Sequence, residues 1–447
     1  MEENTQFHAF VSFPDARLTE SLVEKALSSL NVKLYKHLSD IPKDAESILQ
    51  WSTYDEASHE LTMERPKRVL SSTYVIRKSL IRKHFLHQSI KNYLAKKPDS
   101  TLTRSIPPTW HVEIVHSDEL DELWVDDLYD LAQILPDVSS DLEIPKWFIL
   151  KPGMADRGMG IRLFNSKEGL QDIFNSFENN EDEDEGKEHS EVEGDGTAVM
   201  ISQLRHFVVQ EYLLKPLLID PRERVGGGIS PDRYRGRKFH LRAYCVAQGA
   251  LKVHLFTRIL ALFSSVEYSH PSAEMEGSSR LSAHLTNTAL QAQHGEENVR
   301  LLQELVGSRL FSASSQNVET ARLTQGDVDF IIDEVAASLG EVFRACLTSP
   351  VHFQTLPNAF ELFGVDLLVT YNPAINDRPF QVHLLELNAE PAIHLTGPRL
   401  EWILEELFNE ISHTCVMPFF CTSPLRQESK GSLRLCLDTQ VRGGGAW

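Results

Sequence analysis

The chain has 447 residues, 41% of them hydrophobic, five cysteines and a formal net charge of −20. That length can bury a large core in two or three domains; no run of about 18 apolar residues suits a membrane span, and the acidic start MEENTQFHAF lacks the apolar stretch of a secretory signal. Cys245, Cys346, Cys415, Cys421 and Cys436 form no CxxC pair and are odd in number, which favours a reducing, cytoplasmic setting.

In chain order, HAFVSF predicts a strand and ARLTESLVEKALSSL a helix, so residues 1–105 read as a small α/β domain. Within it, Arg65 to Lys97 holds ten Lys/Arg and no acidic residue. Val75, Ile76, Leu80, Ile81 and Leu86 recur at helical spacing, so the stretch predicts a basic amphipathic helix ending near Lys97-Pro98. It is either a solvated face or a dock for an anionic polymer, an acidic polypeptide or nucleic acid. Residues 106–205 form a second unit, with a helical LWVDDLYDLAQIL and a strand WFILKP. An insertion at 178–195, with ten acidic residues and one lysine, interrupts it and reads as a solvated loop. Residues 206–425 form the largest unit, built on strands FVVQEYLL, KFHLRAYCVA, LKVHLFTRILALF, ELFGVDLLVTY and FQVHLLELN and on helices VDFIIDEVAASLGEVFRACL and LEWILEELFNEISHTCV. Residues 426–447 read as a loosely held tail.

Four stretches carry chemistry. In WFILKPGMADRGMGIRLF, Gly158 and Gly160 would let backbone N–H groups approach phosphate oxygens, with Lys151 and Arg157 as fixed charges. The loop does not match the Walker pattern, and taken alone a plain β-hairpin turn explains it as well. In FVVQEYLLKPLL, backbone groups of Glu211, Tyr212 and Leu213 at a strand end could pair with a flat heterocycle, although an ordinary core strand reads the same way. GRKFHLRAYCV alternates strictly: Lys238, His240 and Arg242 share one face, suited to a polyanion, and Phe239, Leu241 and Ala243 share the other. The solvent face of an edge strand competes with that reading.

LLELNAEPAI puts Glu386 and Asn388 two apart in an apolar strand, so both side chains project together while Leu385 and Leu387 pack behind. ELFGVDLLVTY and FQVHLLELN read as a hairpin around NPAINDRP. If Tyr371 and Phe380 frame the loop, Asp366 falls opposite Leu385, and a bulge or a diagonal contact would bring it to Glu386. Asp366, Glu386 and Asn388 then form an all-oxygen set, which suits Mg²⁺ better than zinc.

In their order, WFILKP…RGMGI, VVQEYLLKPLLI, GRKFHLRAYCV, HLTN, ELFGVD and LLELNAEPA resemble the tubulin–tyrosine ligase family of ATP-grasp ligases, over most of residues 60–410. The resemblance implies an α/β (α+β) ATP-grasp fold, mainly antiparallel sheets enclosing ATP, with Mg²⁺ on its phosphates. It implies that Lys151 and the loop Arg157–Gly160 grip phosphate, that Gln210 to Leu213 are the adenine strand, and that Lys238 is a phosphate-side lysine. Arg242 would face the reacting groups, Thr286 and Asn287 the ribose and active site, and Asp366, Glu386 and Asn388 would hold the metal. Arg242, Lys238 and Glu386 are then the catalytic group. The implied reaction is activation of a peptide carboxylate as an acyl phosphate, then amide formation with a free amino acid. Residues 65–97 would dock an acidic tail such as that of tubulin. His240 stands where the family has Asp in KFD[IL]R, near the ribose. Leu262 and Phe263 stand where an arginine is expected, with Arg258 the nearest candidate, and IDPRERVGGGISPDRYRG looks inserted. Alternatives are a same-class ligase using glutamate, glycine or another acceptor, and a catalytically weak ATP-binding scaffold in an RNA–protein assembly.

Overall fold

The computed structural model describes residues 6–135, 146–154, 159–184, 205–224, 234–272, 281–286, 298–313, 318–375, 379–420 and 431–440. The first unit is a parallel sheet in the order Val32–Tyr35, Phe7–Ser12, Ile48–Ser52, Val69–Ser71. Helix Arg17–Leu27 covers it with Leu22, Val23, Ala26 and Leu27, one apolar stripe at helical spacing.

The basic stretch is not one helix. It contains strand Val69–Ser71 and helices Lys78–Ile81 and Lys83–Leu94, which meet at an extended Arg82. Two of its cations turn inward. Arg77 pairs with buried Glu361, whose carboxylate also accepts from Tyr74 N at 3.0 Å. Lys83 turns toward Glu386 on the third sheet. Period alone could not reveal the break, because Val75 and Ile76 lie in the turn leading into the first helix.

The second sheet is antiparallel, ordered Thr109–Glu113, His206–Glu211, Phe148–Pro152, Arg162–Phe164. Strand His206–Glu211, expected to open the third unit, belongs here. Val112, Phe148, Leu150, Phe207 and Val209 share one core with helix residues Leu170 and Phe174. The helix from Lys167 runs to Asp184, into the acidic insertion; residues 185–195 of that insertion lie outside the described residues. The expected helix LWVDDLYDLAQIL is two short ones, Leu120–Leu123 and Tyr129–Ile134.

The third sheet has nine strands and every pairing in it is antiparallel. At its centre, Arg237–Gln248 lies between Lys252–Phe263 and Phe360–Tyr371, so its face is interior and not an edge. Helix Gln325–Leu347 packs Val328, Ile331, Val335, Leu339, Val342 and Phe343 onto this sheet. A capping box starts that helix: Thr324 Oγ1 accepts from Asp327 N at 3.2 Å while the Asp327 carboxylate accepts from Thr324 N at 2.8 Å. The expected tail is a strand: Leu433–Asp438 pairs antiparallel with Lys252–Phe256 and buries Leu437. Its alternation is weak, since Leu435 is half exposed, and only a partner edge strand far back in the chain gives it a place. Residues 421–430 and 441–447, with Cys421, lie outside the described residues; the other four cysteines are free thiols and Cys245, Cys346 and Cys415 are buried.

The first unit is tied to the third by a parallel bridge from Ser71 to Ala359 and by Asn358, which donates to the carbonyls of Thr62 (3.0 Å) and Val69 (2.8 Å). The Arg77–Glu361 pair lies in the same seam. Losing one member strands a buried charge. Glu361→Ala is expected to cost about 3–5 kcal/mol in denaturant unfolding, and Arg77→Met with Glu361→Leu together much less; equal losses in the two would contradict this account.

Candidate nucleotide cleft

A cleft with an empty volume of about 790 Å³, solvent at its mouth included, opens between the second and third sheets. Ile149, Lys151, Gln210, Glu211, Tyr212 and Leu213 line one side, and Lys238, His240, Asp366, Leu368, Leu385 and Glu386 the other. His284, Leu285 and Thr286 close one end. Of the sequence-picked residues, Lys151, Gln210 to Leu213, Lys238, His240, Thr286, Asp366 and Glu386 line the cleft together.

Antiparallel register builds the polar floor. Arg242 pairs directly with Asp366 across neighbouring strands, and its guanidinium forks the carboxylate, Nε to Oδ1 at 2.5 Å and a terminal nitrogen to Oδ2 at 3.0 Å. On the other side of that strand, Tyr371 pairs with Phe380, and a bulge shifts the register so that Asp366 lies opposite Glu386. The extra residue is Leu385. It turns into the cleft, whereas Leu384 and Leu387 stay in the core, which corrects the expectation that Leu385 packs behind the strand. Asn388 Nδ2 donates to Asp366 at 3.3 Å and to Glu386 at 3.5 Å. Turning that amide over would present its oxygen and complete an all-oxygen donor set, the kind hard cations take.

Four cations face these carboxylates. Besides Arg242, Lys83 reaches Glu386 at 3.2 Å. Lys151 Nζ donates to Gln210 Oε1 at 2.8 Å, and Gln210 is anchored on Thr109 Oγ1 at 3.0 Å. Lys238 Nζ donates to Tyr212 OH at 3.0 Å and to the His284 carbonyl at 2.8 Å, 4.5 Å from the centre of the Tyr212 ring. The Tyr212 hydroxyl in turn meets His284 Nδ1 at 2.9 Å.

Burial sets the proton affinities. It pushes Lys151 down to about 8, against the opposing pull of Glu386. Burial and then the charge of Lys151 push Lys238 down to about 7. Burial would raise Glu386, but Lys83 and Lys151 outweigh it and hold the carboxyl down to about 2. His240 is pushed down to about 4 by burial despite Asp366 at 3.7 Å, so its imidazole is neutral; Nδ1 lies 2.6 Å from Thr286 Oγ1.

Several expectations need correction. Glu211 N and Tyr212 N donate to the carbonyls of Pro108 and Trp147, both at 2.8 Å, so of the backbone groups of Glu211 to Leu213 those two amides are already used. Arg258 does not line the cleft; it pairs with Glu406 at 3.4 Å and lies over Trp402. Arg157, Gly158 and Asn287 lie outside the described residues. Gly160 is described, with φ of 70°, a left-handed turn that favours glycine. Lys83, His284 and Leu285 were not foreseen. Lys83 stood in plain view within the basic stretch, but nothing local marks it as the partner of Glu386.

Two facing sheets with a polar floor and apolar walls define an ATP-grasp fold, the class also found in the crystal structure of the C-terminal domain of Kluyveromyces lactis Pby1. That structure is described as an ATP-grasp enzyme interacting with the mRNA decapping enzyme Dcp2; it matches with a TM-score of 0.64 and 27% identity, over 98% of this chain and 100% of that one. The chain belongs to the tubulin–tyrosine ligase family, whose sequence profile matches residues 61–424. It is 36% identical over 398 residues to a protein of Schizosaccharomyces pombe named as a probable tubulin–tyrosine ligase, spanning 88% of each chain. It is also 34% identical over 387 residues to PBY1 of Saccharomyces cerevisiae, named likewise, covering 83% of this chain and 46% of that longer one. Among the described residues no helix is long and apolar enough to cross a membrane.

The depressed lysines predict a pH dependence. A lysine with folded pKa near 7 or 8 binds fewer protons than the unfolded chain between there and about 10.4, so stability rises with pH across that window. Thermal melts of the ligand-free protein are expected to climb from pH 7 to 10, and Lys238→Met to flatten part of the climb; an unaltered profile in the variant would refute the assignment.

Proposed function

We infer that the protein is an ATP- and Mg²⁺-dependent ligase that joins an amino acid to a carboxylate on an acidic protein tail. The observation that carries this reading is charge balance in the cleft. Buried Lys151 and Lys238 line it with Glu211, Asp366 and Glu386, and Lys83 and Arg242 pair with Glu386 and Asp366, four cations to three carboxylates. A nucleoside triphosphate with its magnesium ion carries the opposite excess, and its phosphates would restore favourable surroundings to both lysines.

Lys151 and Lys238 would grip the phosphates, aided by Gly160 and by the Arg157 and Gly158 that precede it in the sequence. Gln210, Glu211, Tyr212 and Leu213 border the base between the walls Ile149, Ile161 and Leu368, with Leu213 offering its backbone beyond the committed amides. His240 and Thr286 would face the ribose, and Asn287 follows Thr286 in the sequence. Asp366, Glu386 and the turned amide of Asn388 would hold Mg²⁺, which supplies charge neutralisation at the transferred phosphoryl group. Arg242, fixed by Asp366, and Lys83, fixed by Glu386, bring positive charge to where an anionic acceptor carboxylate must approach an anionic phosphate. Attack of the carboxylate oxygen on the γ-phosphorus would break its bond to the bridging oxygen and release ADP. The amine would then attack the acyl carbon, breaking its bond to the phosphate oxygen, and release inorganic phosphate and a proton.

The exposed cations of residues 65–97, among them Lys67, Lys78, Lys91, Lys96 and Lys97, offer a dock for an acidic tail such as tubulin's. A second acceptor or partner is favoured by the whole-chain match to the Pby1 domain, described as interacting with a decapping enzyme. Other tubulin-modifying relatives include a polyglutamylase of human origin, 25% identical over 261 residues and 56% of this chain (30% of its own length), so glutamate is the alternative to tyrosine within one chemistry.

The test is ATP consumption by the full chain with Mg²⁺, an amino-acid mixture and either tubulin or the decapping enzyme. Glu386→Gln is expected to lower turnover on the order of 100-fold or more with an unchanged melting profile. Turnover equal to wild type would remove the metal assignment, and ATP binding without turnover on any acceptor would favour a scaffold.

A further inference from the structure

We propose a second metal site, for a borderline transition cation such as Zn²⁺, formed by His111, Glu113 and His206 on the second sheet. The three are brought together by register. Glu113 pairs directly with His206, and His111, two residues earlier on the same strand face, is its diagonal neighbour. Their ligating atoms all lie within 4.8 Å of one another. The opposite face of these strands, with Val112, Phe207 and Val209, is core, so the strands are rigidly held.

The spacing also suits a metal. His111 Nε2 and His206 Nδ1 are 3.3 Å apart, within hydrogen-bond reach. The same distance is the edge of a tetrahedron around a cation with metal–nitrogen bonds of about 2.0–2.1 Å. Glu113 Oε2 lies 3.9 Å from His206 Nδ1, and its side chain is 64% exposed, free to swing the remaining distance. Two imidazoles and a carboxylate are a ligand set that zinc accepts and that Mg²⁺ does not prefer.

An independent observation lies above the cluster. His84, on helix Lys83–Leu94, is 6% exposed and its Nδ1 has no hydrogen-bond partner. Its ring stacks on His206, with centroids 4.6 Å apart, and faces His111 at 5.5 Å. A buried orphan nitrogen is costly; a water in the fourth position of the metal would give it a partner. Gly153 leaves this space, since a Cβ there would lie 2.8 Å from His84 Nδ1. The site would clasp the helix that carries Lys83 to the sheet that carries Lys151. It does not include the cleft residues, so the two assignments fail separately.

The full chain, stripped with a chelator, is titrated with Co²⁺ and then Zn²⁺. The expected result is one Co²⁺ per chain with the intense visible bands of a four-coordinate ion, displaced by Zn²⁺ and untouched by excess Mg²⁺. His206→Asn and His111→Gln should each weaken Co²⁺ binding by more than the roughly 10–100-fold that loss of an outer-shell partner costs, with metal-free melting and circular dichroism checking the fold. Glu113→Gln, at an exposed position, is the control if a histidine variant fails to fold, and it should also weaken binding. Absence of stoichiometric binding in the wild type, or wild-type affinity in any folded variant, overturns the site.

Discussion

The fork between Arg242 and Asp366 is the contact on which the cleft depends, because it joins adjacent central strands and leaves neither charge bare in a site largely closed to water. Two carboxylates across a strand pair repel by about 4 kcal/mol at 4 Å in a dielectric near 20. Asp366 and Glu386 can share the floor only because cations arrive from three directions: Arg242 from the same sheet, Lys151 from the facing sheet and Lys83 from the helix after the first unit. The bulge at Leu385 belongs to the same constraint. Without it, Glu386 would turn to the core side and Leu385 alone would face Asp366.

Much of this floor was legible in the sequence. Strict alternation in GRKFHLRAYCV put Lys238, His240 and Arg242 on one face, and the spacing of Glu386 and Asn388 against Asp366 pointed to a shared hairpin. These signals are local, with period two, and burial on one face enforces them. What was missed depends on distant partners. Lys83 looks like nine other cations of its stretch until a strand 303 residues later places Glu386 beside it (386 − 83 = 303). Strand His206–Glu211 could equally have begun the third sheet, and Leu433–Asp438 reads as a tail until Lys252–Phe263 offers an edge. Glu211 and Tyr212 looked available to a ligand because nothing in their own segment reveals that Pro108 and Trp147 take their amides.

The helix Lys83–Leu94 links features that look unrelated along the chain. Lys83 reaches into the cleft, and the next residue, His84, lies on the histidine cluster of the second sheet. Successive helical residues point about 100° apart, so one short element touches both the third sheet through Glu386 and the second through His206. The helix thus makes one contact with each of the two sheets that flank the cleft, an ion pair from Lys83 and a ring contact from His84.

His240 fits the same electrostatics. A carboxylate at this position would stand as a further anion beside Asp366, 3.7 Å from the present imidazole nitrogen, and would offset one of the four cations. The neutral ring keeps the surplus positive charge and retains a polar link, 2.6 Å from Nδ1 to Thr286. A histidine here therefore leaves the cleft one anion poorer than a carboxylate would, with Thr286 as its polar partner. On electrostatic grounds that departure from the family pattern favours an anionic ligand in the cleft and does not oppose one.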